Sequence, residues 1–204
     1  TPVFNRKGGS IPVVATVQEE LGLPCVLFGV GLPDENAHAP DEKIDLGDPQ
    51  KKIALVVDEW GAWYARLPGS QEGFLAQQNS VRDAVLASLN LNIFARHAER
   101  VRMANIAQMV NVLQGMILTD KEKMLRTPTY WVFEMFKVHQ GGTFLPVELQ
   151  SPDYAFGQEK IPMVSASATR AADGSGVHLS LANTSPTQAV ALGVKLAGLT
   201  PKAV

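Results

Sequence analysis

Asp58 and Glu59 stand at the end of an apolar run, Ile53-Ala54-Leu55-Val56-Val57, and lead into Trp60-Gly61-Ala62. Such a run reads as a strand buried on both faces, as parallel strands are. In barrels built from parallel strands, catalytic groups sit at the C-terminal strand ends. Glu59 is therefore the first candidate for chemistry. An acidic loop after an ordinary core strand fits the same residues equally well. Upstream lies a polar loop, Pro33-Asp34-Glu35-Asn36-Ala37-His38-Ala39-Pro40-Asp41-Glu42-Lys43.

The elements that must position these groups change character along the chain. Residues 1–43 predict a helix over Ile11–Leu21, capped by Ser10 and ended by Gly22, then a short buried strand over Cys25–Val30. A connector with Asp45, Gly47, Asp48 and Pro49 covers 44–50. After the Glu59 strand comes a loop with Pro68, Gly69 and Gly73. A helix is expected over Ser80–Ala98, with Ser80 and Asp83 at capping-box spacing and Arg96 and His97 suited to its negative end. Val101–Val110 reads as a second strand with Gln108 near its end, and Thr129–His139 as a second helix. Strand, helix, strand, helix marks an α/β layer. From Leu145 the period shortens to two. Val164, Ala166 and Ala168, then Val177, Leu179 and Leu181, flank the turn Asp173-Gly174-Ser175-Gly176 and predict an antiparallel hairpin. Ala189–Leu196 is expected to add a strand to an all-β tail.

The bulk numbers narrow the class. A chain of 204 residues, 46% hydrophobic and 19% charged, can fold as one large or two small domains. A net charge of −2 offers no electrostatic basis for binding nucleic acid or an anionic membrane. The single cysteine, Cys25, excludes an intramolecular disulfide and a cysteine-rich metal site, and fits a reducing compartment. No stretch approaches the ~20 apolar residues of a membrane span, and Thr1-Pro2-Val3-Phe4 has no signal-peptide character.

Residues 50–204 resemble the α-L-arabinofuranosidases of glycoside hydrolase family 51. The resemblance is carried by Lys51-Lys52-Ile53, by Asp58-Glu59-Trp60-Gly61-Ala62-Trp63-Tyr64, by Asn92-Ile93-Phe94 with His97-Ala98, by the stretch Arg100–Gln114, and by Pro128-Thr129-Tyr130 leading to Val138-His139-Gln140. It implies the last two strand–helix units of a (β/α)8 barrel over 51–144 and part of a C-terminal β-sandwich over 145–204. It also implies that Glu59 is the catalytic nucleophile, that Gln108 hydrogen-bonds the sugar, and that Trp63 shapes the sugar pocket. A structural reading stands beside each of these two: Gln108 satisfying backbone groups, Trp63 packed in a core. No cofactor is implied, the partner is an arabinose-containing saccharide, and the location is cytoplasmic. A retaining glycosidase needs a second carboxyl group ~5–5.5 Å from the first. The resemblance puts that acid on an earlier strand. Asp58 is a poor substitute, because neighbours on an extended strand point to opposite faces. His97 and His139 read as helix-end or packing residues.

Residues 2–43 resemble the zinc metallopeptidases of the dipeptidase and aminoacylase type (family 20), through Arg6-Lys7-Gly8-Gly9-Ser10-Ile11-Pro12 and Gly31–Lys43, with Lys7 where that family usually has Glu. This second resemblance implies His38 as a metal ligand, with Arg6 and the Gly9-Ser10 backbone near a substrate carboxylate. A catalytic zinc takes about three protein ligands, and no other residue here matches a ligand position, so His38 also reads as a solvated loop histidine. The overall expectation is an α/β chain: a short N-terminal α/β fragment, a junction over 44–50, a partial barrel and a partial sandwich. Since a closed barrel takes ~250 residues, the expectation includes an isolated chain without turnover, completed by a partner chain or an oligomer. The competing expectations are a zinc-dependent dipeptidase remnant and a non-catalytic chimera.

Overall fold

The computed structural model describes residues 54–71 and 73–198. The chain divides into two units, Thr1–Lys51 and Lys52–Val204, and every described residue belongs to the second. The helix expected over Ile11–Leu21, the strand over Cys25–Val30, the connector over 44–50 and His38 all lie outside the described residues.

The apolar run before Glu59 forms β1 (Leu55–Trp60), and β2 (Val101–Ile106) lies parallel to it, with Val56 opposite Met103 and Trp60 opposite Ile106. Between them runs α1 (Val81–Arg96). Its start follows the Ser80–Asp83 spacing: the Asp83 carboxylate accepts the Ser80 backbone N–H at 2.7 Å. The helix buries Ala87 together with three polar residues, Asp83, Ser88 and Asn92. The parallel pair is not buried on both faces as its sequence predicts. Trp60 meets Phe94 of α1 edge-on at 5.3 Å, yet Val56 and Met103, paired across the two strands, are about half exposed (43% and 50%). An apolar strand reads the same whether or not something covers its second face.

β2 is also shorter than expected, ending at Ile106. A hairpin follows, β3 (Ile117–Asp120) paired antiparallel with β4 (Lys123–Arg126), which the sequence reading does not anticipate. Helix α2 (Pro128–Phe136) is capped by the Thr127 hydroxyl, which accepts the Tyr130 N–H, and opens with Pro128 at a position that suits proline. It tightens into a 3₁₀ turn over Lys137–His139.

The remaining elements are antiparallel. β5 (Thr143–Leu145) precedes a short hairpin of β6 (Asp153–Phe156) and β7 (Glu159–Pro162). β8 (Val164–Arg170) and β9 (Val177–Asn183) form the expected hairpin, and β8 is the middle strand of a β5-β8-β9 sheet. β8 is buried along most of its length, its edges paired with β5 and β9 and its Ser165–Ser167 face covered by α1. The strand expected over Ala189–Leu196 is absent: these residues are irregular, and all but Val190 are exposed. Their alternation is strand-like, but a strand exists only when a neighbour takes up its backbone groups.

The step from α2 into the sheet passes through Gly142, where a Cβ would lie 2.8 Å from the Arg170 carbonyl oxygen and 3.2 Å from that of His139. Among the described residues no helix is long and apolar enough to cross a membrane.

Candidate functional site at the ends of the parallel strands

Glu59, Trp63 and Gln108 come to the same end of the parallel pair. Glu59 is exposed on β1, Trp63 is 63% exposed on the loop beyond it, and Gln108 is exposed just past the end of β2. Among the described residues nothing packs Trp63 into a core. The strict alternation expected of β1 is broken here. The β1–β2 register shifts between Val57 and Trp60, leaving Asp58 and Glu59 as consecutive exposed residues opposite no ladder partner. Among the described residues neither carboxylate is hydrogen-bonded or ion-paired.

The backbone around Glu59 is fixed from behind. Trp60 is anchored by its ring, which lies 5.3 Å from Phe94 and stacks on Phe133 at 6.1 Å. Its carbonyl accepts the Ala107 N–H at 2.8 Å, extending the contact between the two strand ends past the ladder. Beyond Trp60 two buried glutamines clamp Ala62. Gln114 accepts the Ala62 N–H at 2.8 Å, and Gln77 donates to the Ala62 carbonyl at 3.0 Å while accepting the Tyr64 N–H at 2.9 Å. Trp63 therefore projects from a backbone held on both sides. The Arg82 guanidinium lies 3.5 Å over the Tyr64 ring and ties the same loop to the first turn of α1.

The second strand end is tied in as tightly. The Ala107–Gln108 peptide is cis, and the Gln108 N–H donates to the Val112 carbonyl at 3.3 Å. Leu113 donates its N–H to Leu75, and Asn79 donates to the Leu113 carbonyl at 3.0 Å, so the loops after β1 and β2 interlock. Asn111 turns the chain with φ 60° and is braced by Thr119 of β3 through two side-chain hydrogen bonds of 2.7 and 2.8 Å.

Sequence reasoning placed Glu59, Trp63 and Gln108 but assigned nothing to Gln77 or Gln114. A buried uncharged amide carries no local signal; only its distant partners reveal it. His97 caps the C-terminus of α1 as expected. His139 is a packing residue: its ring nitrogens lie 2.7 Å from the Thr169 hydroxyl and 2.5 Å from the Ser180 hydroxyl, and burial, with the nearby His178, lowers its pKa below the ordinary 6.5. Among the described residues no group of three or more His, Cys, Asp or Glu side chains could hold a metal ion.

Comparison with known proteins supplies a context for this geometry. A family profile, the α-L-arabinofuranosidase C-terminal domain, matches residues 58–204. The chain is 47% identical over 154 residues to an intracellular exo-α-L-arabinofuranosidase of Bacteroides ovatus, covering 75% of this chain and 30% of that protein. It is 32% identical over 160 residues to an intracellular exo-α-(1→5)-L-arabinofuranosidase of Streptomyces lividans, covering 74% and 24%. Among solved structures, the GH51 arabinofuranosidase of Xanthomonas axonopodis pv. citri aligns with a TM-score of 0.64 at 62% identity, over 67% of this chain and 27% of that one. The GH51 enzyme of Thermotoga petrophila aligns with a TM-score of 0.55 at 24% identity, a likeness of fold alone. The chain thus spans about 30% or less of the length of these relatives. The profile match begins at Asp58, so residues 2–43 lie outside it.

Proposed function

We propose a function from the premise that this chain belongs to the α-L-arabinofuranosidase C-terminal domain family, whose profile covers residues 58–204. The reading is a retaining glycosidase that releases terminal L-arabinofuranose from arabinose-containing oligo- or polysaccharides. The parallel pair β1–β2 with its helices is read as the last two units of a barrel, and β5–β9 as part of the sandwich that follows. The observation that carries it is the exposed Glu59 at a fixed strand end, beside the strand end that bears Gln108.

In this mechanism the Glu59 carboxylate attacks the anomeric carbon as a carboxylic acid protonates the departing oxygen, giving a covalent glycosyl-enzyme. Water then attacks the same carbon, the former acid takes its proton, and Glu59 leaves. Gln108 orients a sugar hydroxyl, and the exposed indole of Trp63 offers an apolar face to the C–H side of the ring. We read the acid as lying outside residues 54–198, and the isolated chain as inactive until another segment or chain supplies it. The names of the Bacteroides ovatus and Streptomyces lividans relatives support a location inside the cell. The metallopeptidase reading has no observation in its favour among the described residues.

The test is hydrolysis of an aryl α-L-arabinofuranoside, together with binding of methyl α-L-arabinofuranoside followed through backbone amide shifts. The expected result is saturable binding without turnover. Turnover abolished by Glu59→Ala would uphold the nucleophile and overturn the inactivity. Absence of binding would overturn the sugar site.

A further inference from the structure

We infer that Gln114 is a positioning residue that holds the Glu59 strand end, the Trp63 loop and the Gln108 strand end in one arrangement; the inference rests on the sugar-site reading above. Where the β1–β2 ladder lapses at Asp58 and Glu59, something else must fix the backbone. The Trp60 carbonyl accepts the Ala107 N–H at 2.8 Å, the Ala107 carbonyl accepts the Gln114 N–H at 3.1 Å, and Gln114 Oε1 accepts the Ala62 N–H at 2.8 Å. These bonds close a ring through Trp60, Gly61, Ala62, Gln114 and Ala107. It begins one residue after Glu59 and ends one residue before Gln108.

The side-chain amide of Gln114 makes a second bond, from Nε2 to the Asp83 carbonyl at 2.9 Å, which ties the ring to the first turn of α1. Flipping the amide would set donor against donor at Ala62 and acceptor against acceptor at Asp83, so its orientation is dictated by its partners. The side chain is fully buried, where hydrogen bonds are strong and a lost partner is costly. Gly61 provides the room: a Cβ there would stand 2.9 Å from Gln114 Oε1. Gln114 is fully buried and acts through the backbones that carry Glu59, Trp63 and Gln108.

The experiment titrates the isotope-labelled full chain with methyl α-L-arabinofuranoside and follows the amide shifts of the Glu59–Tyr64 segment. In Gln114→Met, similar in length and without hydrogen-bonding groups, half-saturation should rise about tenfold, the equivalent of one lost buried hydrogen bond. Gln114→Glu supplies a readout that packing alone would not move. Its protonated carboxyl can accept from Ala62 and donate to Asp83 as the amide does; its ionised form cannot donate. Sugar affinity of that variant should match the native chain at low pH and fall as pH rises, a dependence absent from the native protein. Should Gln114→Met fail to fold, the Gln114→Glu profile decides. Native-like affinity in Gln114→Met, or a profile of Gln114→Glu parallel to the native one, overturns the inference while the sugar site stands. No response in the native chain overturns the sugar site and this inference with it. A native response that Trp63→Ala abolishes and Gln114→Met preserves overturns the inference alone.

Discussion

Ser167 donates its hydroxyl to Asn92 Oδ1 across 2.6 Å, and both side chains are fully buried. The same amide donates to Ser165 at 3.2 Å, so one side chain of α1 satisfies two hydroxyls of β8 and locks the helix of the α/β layer onto the antiparallel sheet. Asn92→Ala strands both hydroxyls and should lower stability by about 2 kcal/mol in urea denaturation. Ser167→Ala should cost about 1 kcal/mol, and the double variant less than the sum. Strict additivity would show that the two residues do not act as a pair.

Gly61 should resist substitution. Its φ of 145° lies where L side chains are strained, and a Cβ would crowd Gln114 Oε1 at 2.9 Å. Gly61→Ala is expected to cost about 2 kcal/mol of unfolding free energy. The cost should shrink in a Gln114→Ala background, where the crowding is relieved and the backbone strain remains. Equal costs in both backgrounds would refute the contact.

Stability should fall on mild acidification because of His139. Burial, and secondarily His178, keep its folded-state pKa below the ordinary 6.5. Between those two values the unfolded chain binds more protons, so stability falls as pH falls. The contribution is complete above 6.5 and lost as pH drops through the folded value. Melting temperatures across this window should decline for the native chain and flatten for His139→Gln, a comparison that separates this ring from the other titrating groups.

Glu59→Gln and Trp63→Ala should leave the fold alone. Both side chains are exposed, and exposed substitutions away from caps and networks shift stability by about 0.5 kcal/mol or less. Trp63→Ala should nevertheless lose the amide response to methyl α-L-arabinofuranoside. A stability loss above about 2 kcal/mol in either variant would mark the residue as structural.

Legibility in the sequence followed the range of the interactions. The start of α1 was readable because Ser80 and Asp83 act on each other within one turn. The β8–β9 hairpin was readable because Asp173–Gly176 and the alternation flank one another. The β3–β4 hairpin escaped because its turn at Asp120–Lys123 has neither Gly nor Asn; Lys121 takes the positive φ of 53° instead. Ala189–Leu196 misled for the opposite reason, having the alternation without a pairing partner. In the site, Glu59 stood out at the end of an apolar run, while Trp63 and Gln108 were marked only by the family resemblance. Gln77 and Gln114 were marked by neither, since Gln114 meets Ala62 from a position far along the chain.

The crowding at Gly142 makes that joint a weld and not a hinge. With the Arg170 carbonyl where a methyl group would go, the polypeptide cannot swivel there without prising β8 from its neighbours. Insertions, tags or circular permutation at this point should be rejected, and limited proteolysis should spare it. Among the described residues, early cuts should come in the irregular stretch from Thr184 to Gly198, where neither helix nor strand protects the backbone.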